Sequence, residues 1–184
     1  MFELKAKNAS AVIANQFKQL MVSMRWNTPV DFDLFAVYQT KTNQMGIVYY
    51  ADLGNLNEFP FILLSGDEGV DDTAGDNEES LVISSLAEMT YIWICAWDYN
   101  KVMQSIQGRF QQGNLRITVT DDKGKQYQIP LVDHGSGNMA LILTIDCTNP
   151  LMSSLVNTSQ VQTLRGLDTQ ALIQFLKGTI TLGV

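Results

Sequence analysis

The chain reads Tyr91-Ile92-Trp93-Ile94-Cys95-Ala96-Trp97 in one uninterrupted apolar run. Successive side chains of a β-strand point to opposite faces, so a strand with this sequence is apolar on both faces. A strand of that kind lies inside a sheet and is covered on both sides. The run therefore predicts a central strand, around which the rest of the fold is expected to assemble.

Shorter segments on both sides of this run alternate apolar and polar residues, with the period of two that half-buried strands show. In residues 20–26, apolar side chains occupy every second position, with Ser23 and Arg25 between them. Further candidate strands are residues 32–38, 47–50, 61–64, 81–85, 115–120, 127–131 and 139–146. About eight strands joined by short turns, including a hairpin turn at residues 121–124, predict a mainly β protein: a two-sheet antiparallel β-sandwich.

Helical signals are few. Residues 99–106 are a candidate short crossover helix, and residues 168–177 are predicted to form a C-terminal helix with Asp168 as its N-cap and Gly178 closing it. Residues 149–165 are polar and weakly periodic and give no clear assignment. We expect one domain over residues 1–184, in which 1–18 are an N-terminal extension and 19–184 are the sandwich core with the helix.

Charge is distributed unevenly along the chain, whose net charge is −7. Residues 42–100 contain 11 acidic and no basic residues, whereas the remainder holds 12 basic and 8 acidic residues. A nucleic-acid-binding protein would show clustered Lys and Arg instead, so that class is excluded. The chain has no run long enough for a membrane span and no signal-peptide pattern, and its two cysteines lie in apolar segments. We therefore expect a cytoplasmic protein with reduced, buried thiols.

Seven of the acidic residues fall between Asp67 and Glu79, and the surrounding segment 65–79 contains three glycines. Two carboxylates about 5 Å apart repel each other by about 3 kcal/mol at an effective dielectric constant of 20. No basic residue lies nearby in the sequence to offset this repulsion. Calcium binds six to eight oxygen ligands in flexible geometry and fits such a segment, whereas zinc or copper would require His or Cys. The EF-hand pattern does not match, because Gly69 and Asp72 stand where that loop needs a ligand and a glycine.

A second acidic pair, Asp31 and Asp33, lies at the start of a predicted strand, two residues apart and therefore on one face. Together with the acidic segment, this pair is expected to form one or two calcium sites at one end of the sandwich. The alternative interpretation of the segment is a solvated acidic turn without metal.

The ordered motifs Arg25-Trp26-Asn27, Asp31-Phe32-Asp33-Leu34, Ser65-Gly66-Asp67 and Gly75-Asp76-Asn77-Glu78-Glu79 resemble those of the TerD family of bacterial tellurium-resistance and stress proteins. The resemblance covers roughly residues 19–184. The chain departs from the family pattern in a longer segment around residues 70–73 and in Ser80, which replaces a usual Glu. It is therefore similar to a divergent, TerA-like paralogue.

This resemblance implies a cytoplasmic, calcium-binding β-sandwich that acts in tellurite resistance and the general stress response. It also implies partners among other tellurium-resistance proteins, including a membrane-embedded one, without direct insertion of this chain into the membrane. Asp71 has no family counterpart and is added from the acidic segment itself. The expected Ca2+ ligands are Asp31, the backbone carbonyl of Phe32, Asp33, Asp67, Asp71, Asp76, Glu78 and Glu79.

Catalytic signals are weak. Asp133-His134-Gly135-Ser136 offers an acid, a base and a hydroxyl, but adjacent loop residues seldom form a triad. We therefore expect a non-enzymatic, calcium-dependent interaction module or scaffold. Two alternatives stay open: a metal-dependent hydrolase that uses the same acids, and a metal-free scaffold that has lost its site.

Overall fold

The computed structural model describes residues 1–65, 77–110 and 114–181. Within these ranges the chain forms 15 strands and two helices. In chain order the strands are β1 (Phe2–Glu3), β2 (Ser10–Ala14), β3 (Leu20–Trp26), β4 (Phe32–Thr40), β5 (Met45–Val48), β6 (Gly54–Asn55), β7 (Ile62–Leu64), β8 (Asn77–Ile83), β9 (Met89–Asp98), β10 (Gly108–Arg109), β11 (Arg116–Asp121), β12 (Gln126–Pro130), β13 (Ser136–Gly137), β14 (Met139–Asp146) and β15 (Met152–Gln162). The helices are α1 (Tyr99–Gln104) and α2 (Thr169–Thr181).

The strands form two main sheets. The first has seven strands in the order β1-β12-β11-β3-β8-β7-β6, and the second has six in the order β2-β15-β14-β9-β4-β5. Apart from β1 and β12, which run parallel, neighbouring strands in these sheets are antiparallel. The predicted two-sheet antiparallel β-sandwich is confirmed, and β9 lies inside its sheet, between β14 and β4.

The central strand β9 contributes to two separate apolar cores. Ile92 and Ile94 belong to the core between the sheets. Trp93, Cys95 and Trp97 belong to a second core on the outer face of the six-stranded sheet, where α2 packs on them through Leu172 and Leu176. Full burial of a large apolar side chain contributes about 1.5–3 kcal/mol to stability, so β9 anchors both layers.

Strand β15 is not predicted by the hydropathy pattern. It spans 11 residues in the polar stretch 149–165 and pairs with both β14 and β2. Its buried positions alternate regularly, but three of them are the polar residues Ser153, Asn157 and Ser159. The alternation is therefore present in burial but not in hydropathy, which is why the pattern gave no assignment.

Asn157 explains how a polar side chain is accommodated there. It is fully buried, and its amide nitrogen donates to the carbonyl oxygens of Leu4 at 2.8 Å and Pro130 at 3.1 Å. Its Oδ1 accepts from the Ser159 N–H at 3.1 Å and the Ser159 hydroxyl at 2.7 Å. Since Pro130 closes β12 of the opposite sheet, this side chain connects the two sheets.

The first 18 residues take part in the sandwich, although the sequence placed them outside its core. β1 pairs with β12 at one edge of the seven-stranded sheet, and β2 pairs with β15 at the edge of the six-stranded sheet. The extension therefore covers one edge of each sheet.

The C-terminal helix begins as expected and continues further than expected. Asp168 Oδ1 accepts a hydrogen bond from the N–H of Ala171 at 3.0 Å, as an N-cap does. The helix runs through Gly178 to Thr181, four residues beyond the expected end at 177.

Cys95 and Cys147 are buried and form no disulfide, and burial raises the pKa of the Cys147 thiol to about 11.

We predict that Asn157→Ala lowers the free energy of unfolding by about 2–4 kcal/mol, because it leaves buried backbone groups without hydrogen-bond partners. In a chain of this size, that loss lowers the melting temperature by roughly 4–16 °C. Thermal melts followed by circular dichroism measure it. Asn57→Ala, in an exposed loop, is the matched control and is expected to change little. An equally small effect at Asn157 would contradict the bridging role.

Candidate metal centre

The connection between β3 and β4 brings the first acidic pair into place. The indole N–H of Trp26, at the end of β3, donates to the carbonyl of Val30 at 2.7 Å. The amide nitrogen of Asn77, at the start of β8, donates to the carbonyl of Thr28 at 3.0 Å. Trp26 and Asn77 are both buried, so these bonds are shielded from water and fix the backbone that leads into Asp31.

The alternation along β4 separates the Phe32 side chain from that of Asp33, while the Phe32 backbone carbonyl stays a predicted ligand. The Phe32 side chain is buried between the sheets, and its ring stacks on that of Phe110 at 4.9 Å between centroids. Asp33 lies on the other face of the strand and is partly buried, whereas Asp31 precedes the strand and is exposed. Of this pair, Asp33 is therefore the more buried residue.

Strand β8 places its two consecutive glutamates on opposite faces. Glu78 is exposed, and its Oε2 accepts from Arg25 Nη2 at 2.9 Å across the sheet. Glu79 points inward and is only 7% exposed. One ion could not readily be held by both carboxylates, because they face different sides of the sheet. The pairing also supplies a basic neighbour that the sequence did not place near the acidic segment.

Glu79 connects the two sheets at this end of the sandwich. β5 pairs with β4 only as far as Ala36, so the backbone of Leu34 extends beyond the last residue of that ladder. The N–H of Leu34 donates instead to Glu79 Oε2, at 2.6 Å. The Glu79 carboxylate, from one sheet, thus serves as the acceptor for a backbone N–H of the other sheet at a position that β5 does not reach. Hydrogen bonds to charged groups of this kind contribute about 1.5–3 kcal/mol.

A pocket of about 230 Å³ opens beside this contact. Carboxylates from both sheets, Asp33 and Glu79, contribute to its wall. Its lining residues are Asp33, Leu34, Tyr50, Leu53, Leu64, Ser65 and Glu79. Ser65 also donates its N–H to the carbonyl of Ser80 at 2.9 Å. The two residues that flank segment 66–76, Ser65 and Asn77, are therefore both held at this end of the sandwich.

Tyr50 is a pocket residue that the sequence gave no reason to select. Its hydroxyl donates to the hydroxyl of Tyr99 at 3.0 Å, and the rings are 5.1 Å apart. This hydrogen bond is the main cause that raises the pKa of Tyr50 to about 12, with smaller contributions that include the negative charge of Asp33. The pKa of Tyr50 is therefore set mainly by its contact with Tyr99.

The structure brings together only part of the expected ligand set. Asp33 and Glu79 both line the pocket. Asp31 is exposed and lies just before β4, and Glu78 lies on the opposite face of β8 from Glu79. Asp67, Asp71 and Asp76 lie outside the described residues. Among residues 1–65, 77–110 and 114–181, no group of three or more His, Cys, Asp or Glu side chains is placed to hold a metal ion. The polar side chains that line the pocket offer only oxygen atoms as metal ligands. Calcium prefers oxygen ligands, whereas zinc sites usually include His or Cys.

The other acidic motif, around His134, serves the local backbone. Asp133 Oδ1 accepts from the N–H of Gly135 at 2.8 Å, and its Oδ2 accepts from the N–H of Val161 at 2.7 Å. In the described part of the chain, no helix is both long and apolar enough to cross a membrane.

We predict that Tyr99→Phe lowers the pKa of Tyr50 from about 12 toward the ordinary value of about 10, because the hydroxyl that accepts its proton is removed. Tyrosine ring-carbon NMR shifts between pH 9 and 12 measure it. Tyr91→Phe, at the opposite end of β9, is the control and should leave Tyr50 unchanged. If Tyr50 also titrates near 12 in Tyr99→Phe, the assigned cause is wrong.

Comparison with known proteins gives a likeness in fold. No protein-family model matches the sequence, and no curated protein matches it either. A solved protein of unknown function, SAV2460, superposes with a TM-score of 0.57 at 9% identity, covering 84% of this chain and 94% of that one. A homologue of telluride resistance protein (TerD), SCO6318 from Streptomyces coelicolor A3(2), superposes with a TM-score of 0.50 at 11% identity, covering 80% and 92%. The fold that the sequence motifs implied is confirmed: this chain has a TerD-like fold.

Proposed function

We propose that this protein binds calcium at the acidic end of its sandwich and acts as a non-enzymatic interaction module in tellurite resistance and the general stress response. The observation that carries the proposal is the shared pocket, in which Asp33 of one sheet and Glu79 of the other stand together. Asp31 and the acids of segment 66–76, Asp67, Asp71 and Asp76, are the further ligands in this proposal.

The chemistry of the pocket supports a hard cation. A carboxylate offers about four lone-pair positions, so a Glu79 side chain that accepts from Leu34 can also coordinate an ion. Moving a carboxylate out of water costs several kcal/mol unless hydrogen bonds or an opposite charge compensate. A divalent cation would add that compensation for Glu79 and would also reduce the net charge of −7.

A cation in this pocket would also have a structural effect. It would join β4 and β8, which belong to different sheets, and would act where Ser65 and Asn77 hold the ends of the acidic segment. In our proposal, calcium orders this end of the sandwich so that it can contact a partner protein. The partners proposed are other tellurium-resistance proteins, including a membrane-embedded one, and the setting is the cytoplasm.

We predict that calcium at 100 times its dissociation constant raises the free energy of unfolding by about 2.7 kcal/mol, because the ion binds only the folded state. The melting temperature should rise by roughly 5–10 °C. Differential scanning fluorimetry with a calcium titration, after treatment with EDTA, measures the shift.

Asp33→Asn removes a pocket carboxylate with little change in shape and should abolish most of this shift. Glu88→Gln, an exposed acid outside the pocket, is the matched control and should retain the shift. A wild-type melt that is insensitive to calcium would favour a metal-free scaffold. Calcium-dependent phosphoesterase or peptidase turnover that disappears in Asp33→Asn would favour a hydrolase. Either result contradicts the proposal.

A further inference from the structure

An unusual row of charges crosses the outer face of the seven-stranded sheet. In the strand registers, Glu78 of β8 lies opposite Arg25 of β3, and Arg25 lies opposite Arg116 of β11. On the far side of Arg116, the next strand presents Pro130. Two arginines are thus direct cross-strand neighbours, with a single acid at one end of the row.

The directly opposed pair of arginines is electrostatically unfavourable. Directly opposed residues of antiparallel strands have Cβ atoms about 4.5–5.5 Å apart, and like charges at such positions destabilise a sheet. Arg25 is bonded to Glu78 at 2.9 Å. Arg116, in contrast, makes no ion pair or side-chain hydrogen bond anywhere in residues 1–65, 77–110 and 114–181. The second guanidinium therefore lacks a negative partner.

Hydroxyl groups occupy the adjacent row of the same face. Two residues along from the arginines, Ser23 lies opposite both Thr118 and Ser80. All three are partly buried, as is Arg116. Both described helices contact the other sheet, α1 through β9 and α2 through the core on its outer face. Neither described helix covers this face.

We propose that Arg25 and Arg116, with the hydroxyls of Ser23 and Thr118, form a binding site for a phosphate-type oxyanion. Planar guanidinium groups bind phosphate oxygens through paired, charge-assisted hydrogen bonds, and hydroxyl donors complete such a site. The site is separate from the calcium pocket, because Arg25 and Glu78 lie on the outer face of the sheet while Glu79 faces inward. It does not depend on calcium binding.

The like-charge pair gives a distinctive signature in stability. Without an anion, Arg116→Gln should melt at a higher temperature than the wild type, because it removes the repulsion. With saturating phosphate, the wild type should gain stability and Arg116→Gln should not. Arg116→Lys keeps the charge but not the paired hydrogen bonds, so it should keep the repulsion and bind phosphate more weakly.

The test is a titration with inorganic phosphate, in EDTA and at constant ionic strength set with chloride, followed by backbone NMR shifts of β3 and β11. Loss of a charge-assisted hydrogen bond should weaken phosphate binding at least about tenfold in Arg116→Gln. Arg165→Gln, which removes an exposed arginine outside the row, is the matched control and should bind as the wild type does. A phosphoserine peptide, titrated in parallel, distinguishes the two sources: tighter binding than inorganic phosphate indicates a protein-borne phosphate, and equal or weaker binding indicates a small molecule.

The proposal is overturned if Arg116→Gln binds phosphate as tightly as the wild type, or if Arg165→Gln loses as much affinity. It is also overturned if Arg116→Gln is less stable than the wild type without phosphate while its circular dichroism spectrum stays native. None of these results bears on the calcium titration, so the two proposals can fail separately.

Discussion

The hydrogen bond from the Leu34 N–H to the Glu79 carboxylate is the constraint on which the acidic end of the sandwich depends. It exists because β5 ends before it reaches Leu34 and leaves the edge of the six-stranded sheet without a partner. Glu79 supplies that partner from the opposite sheet, and in doing so brings a buried carboxylate beside Asp33. The fold thus places two acids together for a structural reason, and the resulting pocket has the chemistry of a cation site.

Strand β8 links this pocket to the outer surface. Its alternation sends Glu79 inward and Glu78 outward, where Glu78 bonds Arg25. The strand therefore separates the buried carboxylate of Glu79 from the charged row on the outer face. That row consists of Glu78, Arg25 and Arg116. Our two proposals assign a cation to the inner face and an oxyanion to the outer face. A difference of one residue in register would exchange these environments.

Much of the fold could be predicted from the sequence because hydropathy and burial agree there: the central strand β9, the alternating β3 and the Asp168-capped α2 are examples. Prediction failed at β15, whose inward positions include the polar residues Ser153, Asn157 and Ser159. Asn157 and Ser159 hydrogen-bond each other, and Ser153 bonds Asn15. It also failed to show that Arg25 and Arg116 meet, or that Glu79 reaches Leu34. These contacts join residues distant in the chain, and single-sequence periodicity carries no information on which strands pair.

A crystal structure of the protein grown with calcium, with anomalous scattering used to locate the ion, tests the calcium site most directly. We predict a calcium peak about 2.3–2.6 Å from carboxylate oxygens of both Asp33 and Glu79. A structure that shows no calcium in this pocket, or calcium bound only at other positions, would contradict the account.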